Sequence, residues 1–438
     1  MKIIKRPGKI DFSIFRKNDV SPDVKFGLPR EIIYCNICVQ SNQRPTSTVE
    51  FQNSIIQKKK TLNLDQKNVC DACLFAEKKK KINWEEREKE LVELCNKYRK
   101  KDGEYDCIVP GSGGKDSIYA SHILKEKYKM NPLTITWSPS LHTDWGYKNF
   151  KNWINTGSDN ILFTPSGKTH RLLTRLALEN LLHPFQPFIL GQKTLAAKVA
   201  KMYKIPLIFY GESEVEYGNP IDEASTAKVN EKLFSTEEEY LNLVLGGTKI
   251  KDLIDNFGLS KSELRSYIPE NRSVFQDFKL DFHYLGYYLK WHPQSCYYYS
   301  VEKAKFEASP ERTSGTYSKY NSIDDKVDDL HYYTTFVKFG IGRATYDAAQ
   351  EIRSGDITRE EGIALVKKFD GEYPKRFLPE LLEYLSINKK EFPEANKMFE
   401  EPNISESYFN ELCDSFRSPH IWYYQDNKWY LRKKITQN

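Results

Sequence analysis

Short apolar runs alternate with helical patterns over the middle of the chain. The first run, residues 105–109, is followed by a glycine-rich segment and then by a helical pattern with Ala120, Ile123 and Leu124 on one face. Further runs typical of buried strands lie at 132–137, 159–164, 186–190 and 205–210. This alternation predicts an α/β fold, built on a parallel, doubly wound sheet with helices on both faces.

The same pattern divides the chain into four regions. The α/β pattern occupies residues 83–220, after a cysteine-containing module in residues 1–82. Residues 221–281 are charged and predict a helical insertion or lid. Residues 282–438 predict a mostly helical C-terminal region that binds substrate or a partner. The aromatic-dense run at 282–291 favours a buried core, with a stacking surface for a sugar or a base as the alternative.

The glycine-rich segment follows the first predicted strand and leads into a helix. In that position several backbone N–H groups converge at the positive end of the helix dipole, which predicts phosphate binding. The segment is not a Walker A motif, because Asp116 stands where that motif needs Ser or Thr. The alternative is a glycine turn that only joins strand to helix. Residues 112–117 resemble the S-G-G-x-D-S/T loop of the PP-loop ATP pyrophosphatases. The resemblance implies that ATP is bound by Pro110, Gly111, Ser112, Gly113, Gly114, Lys115, Asp116, Ser117 and Trp137.

Three residues follow other predicted strands, at the edge where parallel sheets bind ligands. Trp137 would border the adenine, Lys193 would reach a phosphate, and Glu212 would face a metal or the substrate. Each has a simpler alternative, Trp137 as a core residue and the other two as helix-end residues. The predicted catalytic residues are Asp116, Lys193 and Glu212.

Two C-x-x-C pairs precede the α/β pattern, Cys35 with Cys38 and Cys70 with Cys73. Paired knuckles of this kind present four thiolates to one tetrahedral Zn²⁺, and a site closed by four cysteines is structural rather than catalytic. Four unrelated buried cysteines, or a redox pair, are the alternatives.

Composition changes this picture little. The 438 residues carry a net charge of +6 from 66 basic and 60 acidic side chains, which favours solvated charged surfaces over a nucleic-acid site. No apolar run approaches the ~18 residues of a membrane helix, and the first residues lack a signal-peptide core. The sequence therefore predicts a cytoplasmic protein whose eight cysteines are reduced or bind metal.

With these motifs in place, the chain resembles the N-acetyl sugar amidotransferase family of the PP-loop ATP pyrophosphatase superfamily. The resemblance covers most of the chain, from Tyr34 to about Arg376. The loop at 112–117 is shared by many ligases and so indicates the chemistry, whereas later stretches indicate the family. Besides that loop and Cys35-x-x-Cys38, the matching stretches are 182–188, 209–212, 317–326 and 340–347.

The resemblance implies a reaction. An acetamido group on a sugar or nonulosonic acid precursor of a bacterial surface polysaccharide would attack the α-phosphate of ATP and release pyrophosphate. Ammonia would then displace AMP and leave an acetamidino group. Asp116 would hold Mg²⁺, whose charge offsets that of the phosphates.

Two polar loops and a glycine-flanked arginine supply the candidate substrate-binding residues Arg312, Lys319, Tyr320 and Arg343. The glycines beside that arginine, Gly340 and Gly342, predict either a second anion site or only a close packing of helix on loop. Similar proteins take ammonia from a separate glutaminase with a cyclase-like barrel subunit. We expect such a partner here, because residue 2 is Lys rather than a nucleophilic cysteine and no cysteine lies in a glutaminase nucleophile elbow.

Two other functions stay open. A PP-loop tRNA thiolase would adenylate a base carbonyl, but it needs reactive cysteines near the ATP loop. Here Cys107 lies inside a predicted strand and Cys296 is far along the sequence. The third possibility is a non-catalytic zinc-knuckle scaffold with a degenerate nucleotide site, against which the intact loop argues.

Overall fold

Five parallel strands form the central sheet of the protein. The computed structural model describes residues 3–47, 49–53, 58–229, 235–275 and 278–436. The strands are β1 (Cys107–Pro110), β2 (Pro132–Trp137), β3 (Asn160–Phe163), β4 (Leu207–Tyr210) and β5 (Asp281–Tyr284). Their order is β3-β2-β1-β4-β5, and all neighbouring pairs are parallel. The α/β fold with a parallel sheet that the sequence predicted is confirmed.

The helices cover the sheet and build most of the C-terminal region. In the described residues they are α1 (Asp71–Lys79), α2 (Trp84–Tyr98), α3 (Lys115–Glu126), α4 (Asp144–Ile154), α5 (Gly167–Leu181), α6 (Gln186–Tyr203), α7 (Ile250–Asp255), α8 (Lys261–Leu264), α9 (Leu285–Tyr288), α10 (Pro293–Ala304), α11 (Val327–Phe339), α12 (Arg343–Ser354), α13 (Arg359–Phe369), α14 (Leu378–Leu385) and α15 (Glu406–Ser415). Among all the described residues, no helix has the length and apolar character that crossing a membrane requires.

Shorter elements fill the connections. The 3₁₀ helices are Phe12–Phe15, Glu214–Tyr217, Ile221–Ser225, Tyr240–Asn242, Arg265–Tyr267, Arg272–Phe275 and Ala395–Met398. Two-residue strands pair Ser235–Thr236 with Glu270–Asn271 and Val244–Leu245 with Thr248–Lys249. A terminal hairpin joins β6 (Trp422–Gln425) to β7 (Lys428–Leu431).

Alternate residues of the strands face two different cores. Ile108 of β1 and Ile208 of β4 pack with α5 and α6 on one face of the sheet. Val109 and Phe209, their neighbours in sequence, pack with α2 and α3 on the other face. All residues of β2 are buried, as in a strand covered on both sides. Both faces therefore fix the strand ends from which the functional loops start.

One predicted strand is a helix. The run at 186–190 forms the first turns of α6, which begins at Gln186 with Pro187 in its first turn. A short apolar run does not distinguish a strand from a buried helix, and this one continues as a helix face through Leu195 and Val199.

The fifth strand of the sheet is β5, which pairs with β4. The boundary predicted between residues 281 and 282 therefore falls inside a strand. The aromatic run that begins there is buried, with Phe282 and Trp291 each 3% exposed, so the core interpretation is the correct one.

A long crossover connects β4 to β5 and contains most of the region 221–281. We expected this region to be a helical insertion or lid, but its described residues are not mainly α-helical. Within the described part of this connection, α-helix is confined to α7 and α8, of six and four residues. Turns, 3₁₀ helices and two-residue strands make up the rest of its described residues.

The cysteine module shares a hydrophobic core with the C-terminal region. Val39 and Leu62 pack with Ala348 and Ala349 of α12 and with Ile363 of α13. The module is therefore held against the helices that follow the sheet.

A carboxylate of the protein itself closes the N-terminus of α12. Asp370 accepts hydrogen bonds from the backbone N–H groups of Gly342 (3.0 Å) and Thr345 (3.1 Å), and from the Thr345 hydroxyl. A Cβ at Gly342 would lie 2.7 Å from the Asp370 carboxylate. Of the two interpretations of the glycines beside Arg343, the structure supports close packing of helix on loop.

Asp370→Ala should lower the free energy of unfolding by about 1–3 kcal/mol, because it leaves buried N–H groups without an acceptor. Urea denaturation of the two proteins measures this difference. Glu302→Ala is the control, since the Glu302 side chain is 71% exposed, and it should change the free energy by less than about 0.5 kcal/mol. Equal stability of the Asp370 variant and the wild type would contradict the capping role.

Candidate functional site

The loop after β1 leaves backbone N–H groups for a ligand. Gly111 continues the strand, and its N–H donates to the carbonyl of Ile135 (2.9 Å). The N–H of Ile118 is the first in α3 to bond back to the loop, at the carbonyl of Gly114 (3.1 Å). The N–H groups of the turn between these points lie at the positive end of the helix dipole, where a helix has no partners of its own. This is the arrangement of a phosphate site.

Three glycines of this loop differ in what a side chain would meet. At Gly111, a Cβ would lie 2.1 Å from the Cβ of Ser117, so loop and helix touch there. At Gly113, φ is +88° and a Cβ would lie 2.7 Å from the Cα of Phe150 in α4. At Gly114, a Cβ would meet nothing within 4 Å. The first two glycines thus serve packing, and the third leaves room that a bound phosphate would fill.

Two carboxylates meet beside the loop. Asp116, in the first turn of α3, pairs with the Lys115 ammonium at 2.6 Å. Burial, and next the charge of Asp116, raise the pKa of Glu212 to about 7, against the opposing effects of Lys115 and a hydrogen bond from the Tyr217 hydroxyl. Asp116 and Glu212 follow the neighbouring parallel strands β1 and β4, so both carboxylates lie at the same edge of the sheet, where they could hold a divalent ion.

Trp137 lies in the core, in agreement with the simpler of its two interpretations. Its side chain is 2% exposed and its ring packs against Phe163 and Tyr267. A Cβ at Gly191 would lie 2.3 Å from the indole, so α6 passes directly over it.

Lys193 lies inside α6 and does not follow a strand, since the strand predicted before it is part of that helix. Its Nζ is 3.5 Å from a carboxylate oxygen of Glu214 and 3.5 Å from the carbonyl of Ser47. The structure therefore brings Glu212 to the ATP loop but pairs Lys193 with the segment that follows β4.

Cys296 lies beside the loop, although it is distant in sequence. Helix α10 packs on α3, where the Ser300 hydroxyl donates to the carbonyl of Lys115 (2.9 Å). Cys296 precedes Ser300 by one turn and is 2% exposed. Burial, and next the charge of Asp116, raise the pKa of its thiol well above the usual value. The distance in sequence therefore does not keep this cysteine away from the loop, because α10 folds back onto α3.

A polar cluster of the C-terminal region faces the same edge of the sheet. Arg343 donates from Nε to Asp347 (2.9 Å) and from Nη1 to the Tyr332 hydroxyl (3.2 Å). Burial opposes its charge, but Asp347 and then Tyr332, Asp328 and Tyr217 raise its pKa. Tyr217, whose hydroxyl bonds Glu212, is thus also among the groups that raise the pKa of Arg343.

Sequence reasoning missed Tyr217, Tyr332 and Asp328. Tyr217 follows Glu212 closely in the stretch after β4, which was the available signal for it. Asp328 and Tyr332 lie on α11, and only the fold brings that helix to this edge.

The other predicted substrate residues lie elsewhere. Arg312 and Lys319 border a cavity of about 730 Å³, together with Lys375 and Arg376. Arg312 is held there by Glu372 at 2.6 Å.

Tyr320 stacks on Tyr297 of α10, with ring centroids 4.3 Å apart. Burial, and next Glu351 and Asp347, raise the pKa of Tyr320, so Tyr320 lies near the carboxylate that accepts from Arg343. The four residues predicted for the substrate do not share one site, because Arg312 and Lys319 border the cavity described above.

The four knuckle cysteines converge on one point. Their thiols are all buried, and the sulfurs lie within 4.8 Å of one another. Cys35 and Cys73 are 3.8 Å apart, and Cys38 and Cys70 are 3.7 Å apart. Sulfur atoms ~2.3 Å from a tetrahedral zinc ion are roughly 3.8 Å from each other, so the spacing fits a single ion. This donor set can hold a metal.

Two arginines with unpartnered nitrogens lie beside these cysteines. Arg353 Nη1, and Nε and Nη1 of Arg44, are buried without a hydrogen-bond partner among the described residues. Burial disfavours charge on Arg353, but Cys38, Cys73 and Cys70 leave its pKa above the usual value. Four thiolates around Zn²⁺ carry a net charge of about −2, which two guanidinium groups would offset.

The C-terminal region also matches a known family. Residues 314–436 fit the family model described as LPS biosynthesis protein WbpG-like, C-terminal domain. In this region the chain is WbpG-like. The match confirms the family resemblance drawn from the motifs, and the WbpG-like domain contains Arg343, Tyr332 and Asp328 of the polar cluster.

Two further comparisons are more limited. An uncharacterised protein of Methanocaldococcus jannaschii is 37% identical over 101 residues, 23% of this chain. The chain thus spans about a third (31%) of the length of the curated relative that it matches. The U34-tRNA thiolase NcsA of Methanococcus maripaludis, solved with its 4Fe-4S cluster, is 13% identical over 73% of this chain and 89% of that chain, with a TM-score of 0.25. We base no conclusion on a likeness that weak.

Gly114→Ala and Gly111→Ala should separate ligand binding from folding. The first places a Cβ in the open space of the loop, so ATP affinity should fall about tenfold or more with the melting temperature unchanged. The second forces a Cβ against Ser117 and should cost stability, about 1–3 kcal/mol. Calorimetric titration with ATP and thermal denaturation measure the two effects. Wild-type ATP affinity in the Gly114 variant would contradict the assignment of the site.

Purified protein should carry about one zinc ion per chain, as determined by mass spectrometry of the metal. Cys70→Ser should lose most of that metal and melt at a lower temperature, because the site needs all four thiolates. Cys413→Ser is the matched control, since Cys413 is equally buried but lies in α15, in a different core. Equal metal content in the two variants would show that the knuckles do not bind zinc.

Proposed function

We propose that the protein is a cytoplasmic, ATP-dependent amidotransferase that converts an acetamido group of a bacterial surface-polysaccharide sugar or nonulosonic acid precursor into an acetamidino group. The observation that carries the proposal is the pairing of two features. A phosphate-binding loop with two carboxylates, Asp116 and Glu212, lies at one edge of the sheet. The polar cluster of a domain that resembles LPS biosynthesis proteins faces that edge.

The chemistry explains why such a site needs ATP. An amide oxygen is a poor leaving group, so its exchange for nitrogen requires activation. The oxygen attacks the α-phosphorus of ATP, and pyrophosphate leaves with the electrons of the broken P–O bond. Ammonia then adds to the imidate carbon and AMP departs with the former amide oxygen. Protons from the nitrogen nucleophile pass to solvent or buffer.

The residues around the loop have separate tasks in this proposal. The N–H groups of residues 112–117 bind the phosphates and stabilise charge as pyrophosphate leaves. Asp116 and Glu212 would hold Mg²⁺, which supplies positive charge to the phosphates when bound. Lys115, buried and tied to Asp116, fixes the direction of that carboxylate.

The WbpG-like domain supplies the groups for the sugar. Arg343 and Tyr332 offer donors near the carboxylates, and Asp328 offers a buried carboxyl group for a sugar hydroxyl. The cavity with Arg312 and Lys319 would take an anionic part of a larger substrate, such as a phosphate. The four-cysteine site would be structural, because all four positions around the metal are filled by protein.

The ammonia source in this proposal is a separate glutaminase with a cyclase-like barrel subunit. A neutral nitrogen nucleophile must be protected from protonation in water, which favours delivery inside a complex.

A second candidate function is a tRNA thiolase, and the position of Cys296 beside the loop is the observation that favours it. A thiolase cysteine must become a thiolate or carry sulfur, which requires access and a lowered pKa. Cys296 is buried and its pKa is raised, so its environment suits a packing role better.

Pyrophosphate release should require ATP and an N-acetylated sugar, and release over many turnovers should require ammonium as well. Asp116→Ala should reduce the rate by about a hundredfold or more, because it removes charge complementarity at the phosphates. Cys296→Ser should keep most of the activity. Mass spectrometry should show a sugar product about one mass unit lighter than the substrate, because NH replaces O. In the absence of the partner glutaminase, glutamine should replace ammonium poorly.

Release with tRNA and a sulfur donor, but with no sugar of a panel of N-acetylated nucleotide sugars and nonulosonic acids, would refute the amidotransferase. It would support the thiolase if Cys296→Ser abolished it.

A further inference from the structure

The segment after β4 lies between the four-cysteine site (Cys35, Cys38, Cys70 and Cys73) and the ATP loop. We call residues 213–221 the bridge segment. It begins next to Glu212, contains Tyr217 and ends at Ile221, where a second 3₁₀ helix starts. Both of its sides are held by named contacts, one to the cysteine module and one to the carboxylates.

Helix α1 holds the bridge segment from the metal side. The helix begins in the second knuckle, with Cys70 as its N-cap and Cys73 in its first turn. From the opposite end, Lys79 Nζ donates to the Glu216 carboxylate (2.6 Å) and to the carbonyl of Trp291 (3.0 Å). This pair is largely shielded, with the two side chains 13% and 12% exposed.

Two further contacts hold the segment, one from the cysteine module and one from α12. The carboxylate of Asp71, the residue after Cys70, accepts the N–H of Ile221 (3.0 Å). Arg353, whose charge is favoured by the knuckle cysteines, donates to the carbonyl of Glu216 (2.7 Å). Three independent hydrogen bonds therefore link one short segment to both ends of α1 and to α12.

The other side of the bridge segment touches the ATP site. The Tyr217 hydroxyl donates to Glu212, and Glu212 follows β4, the strand that pairs with β1 where the ATP loop starts. The segment turns sharply directly after Tyr217, where Gly218 has φ +106° and a Cβ would lie 2.5 Å from Leu62 of the cysteine module. Tyr217 therefore has little freedom to move away from Glu212 while α1 stays in place.

We propose that Lys79 and Asp71 are positioning residues, which act through the bridge segment to hold Tyr217 and Glu212 in the geometry that binds ATP with Mg²⁺. The four-cysteine site fixes the start of α1, because Cys70 and Cys73 lie there. Through α1 and the bridge segment it thereby sets the geometry of the ATP site. This inference rests on the proposed function only in taking Glu212 and Asp116 as part of an ATP site. A metal that merely stabilised the N-terminal module would not have this effect.

Lys79→Met is the decisive variant, because it keeps the length of the side chain and removes its hydrogen bonds. Lys80→Met is the matched control, since Lys80 is the next residue and pairs only at the surface with Glu77, the two side chains being 67% and 60% exposed. Lys79→Met should weaken ATP–Mg²⁺ binding by about tenfold in calorimetric titration. Zinc content should stay at the wild-type level, and Lys79→Arg should restore most of the affinity.

A double-mutant cycle with Tyr217→Phe tests whether Lys79 acts through the bridge segment. If it does, the losses of Lys79→Met and Tyr217→Phe should not add, because the second change removes a contact that the first has already loosened. Hydrogen–deuterium exchange at residues 212–221 should rise in Lys79→Met and stay unchanged in Lys80→Met.

The outcomes separate this inference from the proposed function. Equal ATP affinity in the Lys79→Met and Lys80→Met proteins, or additive losses in the cycle, would overturn the inference. A wild-type protein that binds ATP but amidinates no sugar would refute the amidotransferase and leave the positioning result standing. A wild-type protein that binds no ATP would overturn both, since there would be no ATP geometry for Lys79 to maintain.

Discussion

The contact between the loop after β1 and the first turn of α3 is the constraint on which the site depends. Loop and helix approach so closely that a Cβ at Gly111 would collide with Ser117. Gly113 has a φ of +88°, which residues other than glycine rarely adopt. Close approach turns the loop N–H groups away from the chain and toward one point. The two cores on either side of the sheet hold β1 and α3 in this relation, so the anion site is a consequence of packing on both faces.

The remaining parts of the site come from distant stretches that converge on the same edge. Glu212 follows β4, Cys296 returns on α10, and Arg343 opens a helix of the WbpG-like domain. The charges of Asp116 and Glu212 act on the pKa values of both Lys115 and Cys296, so the loop, the end of β4 and α10 share one electrostatic environment. A site assembled this way is sensitive to small shifts of whole helices, which is why the shared core between the cysteine module and α12 matters for chemistry as well as for stability.

Local chemistry in the sequence predicted the local parts of this arrangement. The strand, the loop and the helix around residues 107–126 were predicted because these neighbours in sequence are neighbours in space, and each C-x-x-C pair presents its own two sulfurs. Prediction was weaker where a short apolar run fits two structures, as at 186–190, since the deciding contacts are with the sheet. The sequence did not show that Cys296 lies beside the loop, because nothing local indicates which helix folds back onto α3. Trp137 shows the same limit, as its surroundings come from α6 and the crossover.

The strand order has one more consequence. From β1 the chain proceeds outward through β2 and β3, and from β4 it proceeds in the opposite direction to β5. The connection that leaves β1 and the connection that leaves β4 therefore run in opposite directions along the sheet. A crevice opens between these two strands, because neither connection passes over it. The nucleotide loop borders this crevice on one side and Glu212 borders it on the other, while its mouth is left to whatever chain follows the sheet. A lineage could exchange that later chain for another and acquire a different acceptor molecule, with the phosphate chemistry beneath it unchanged.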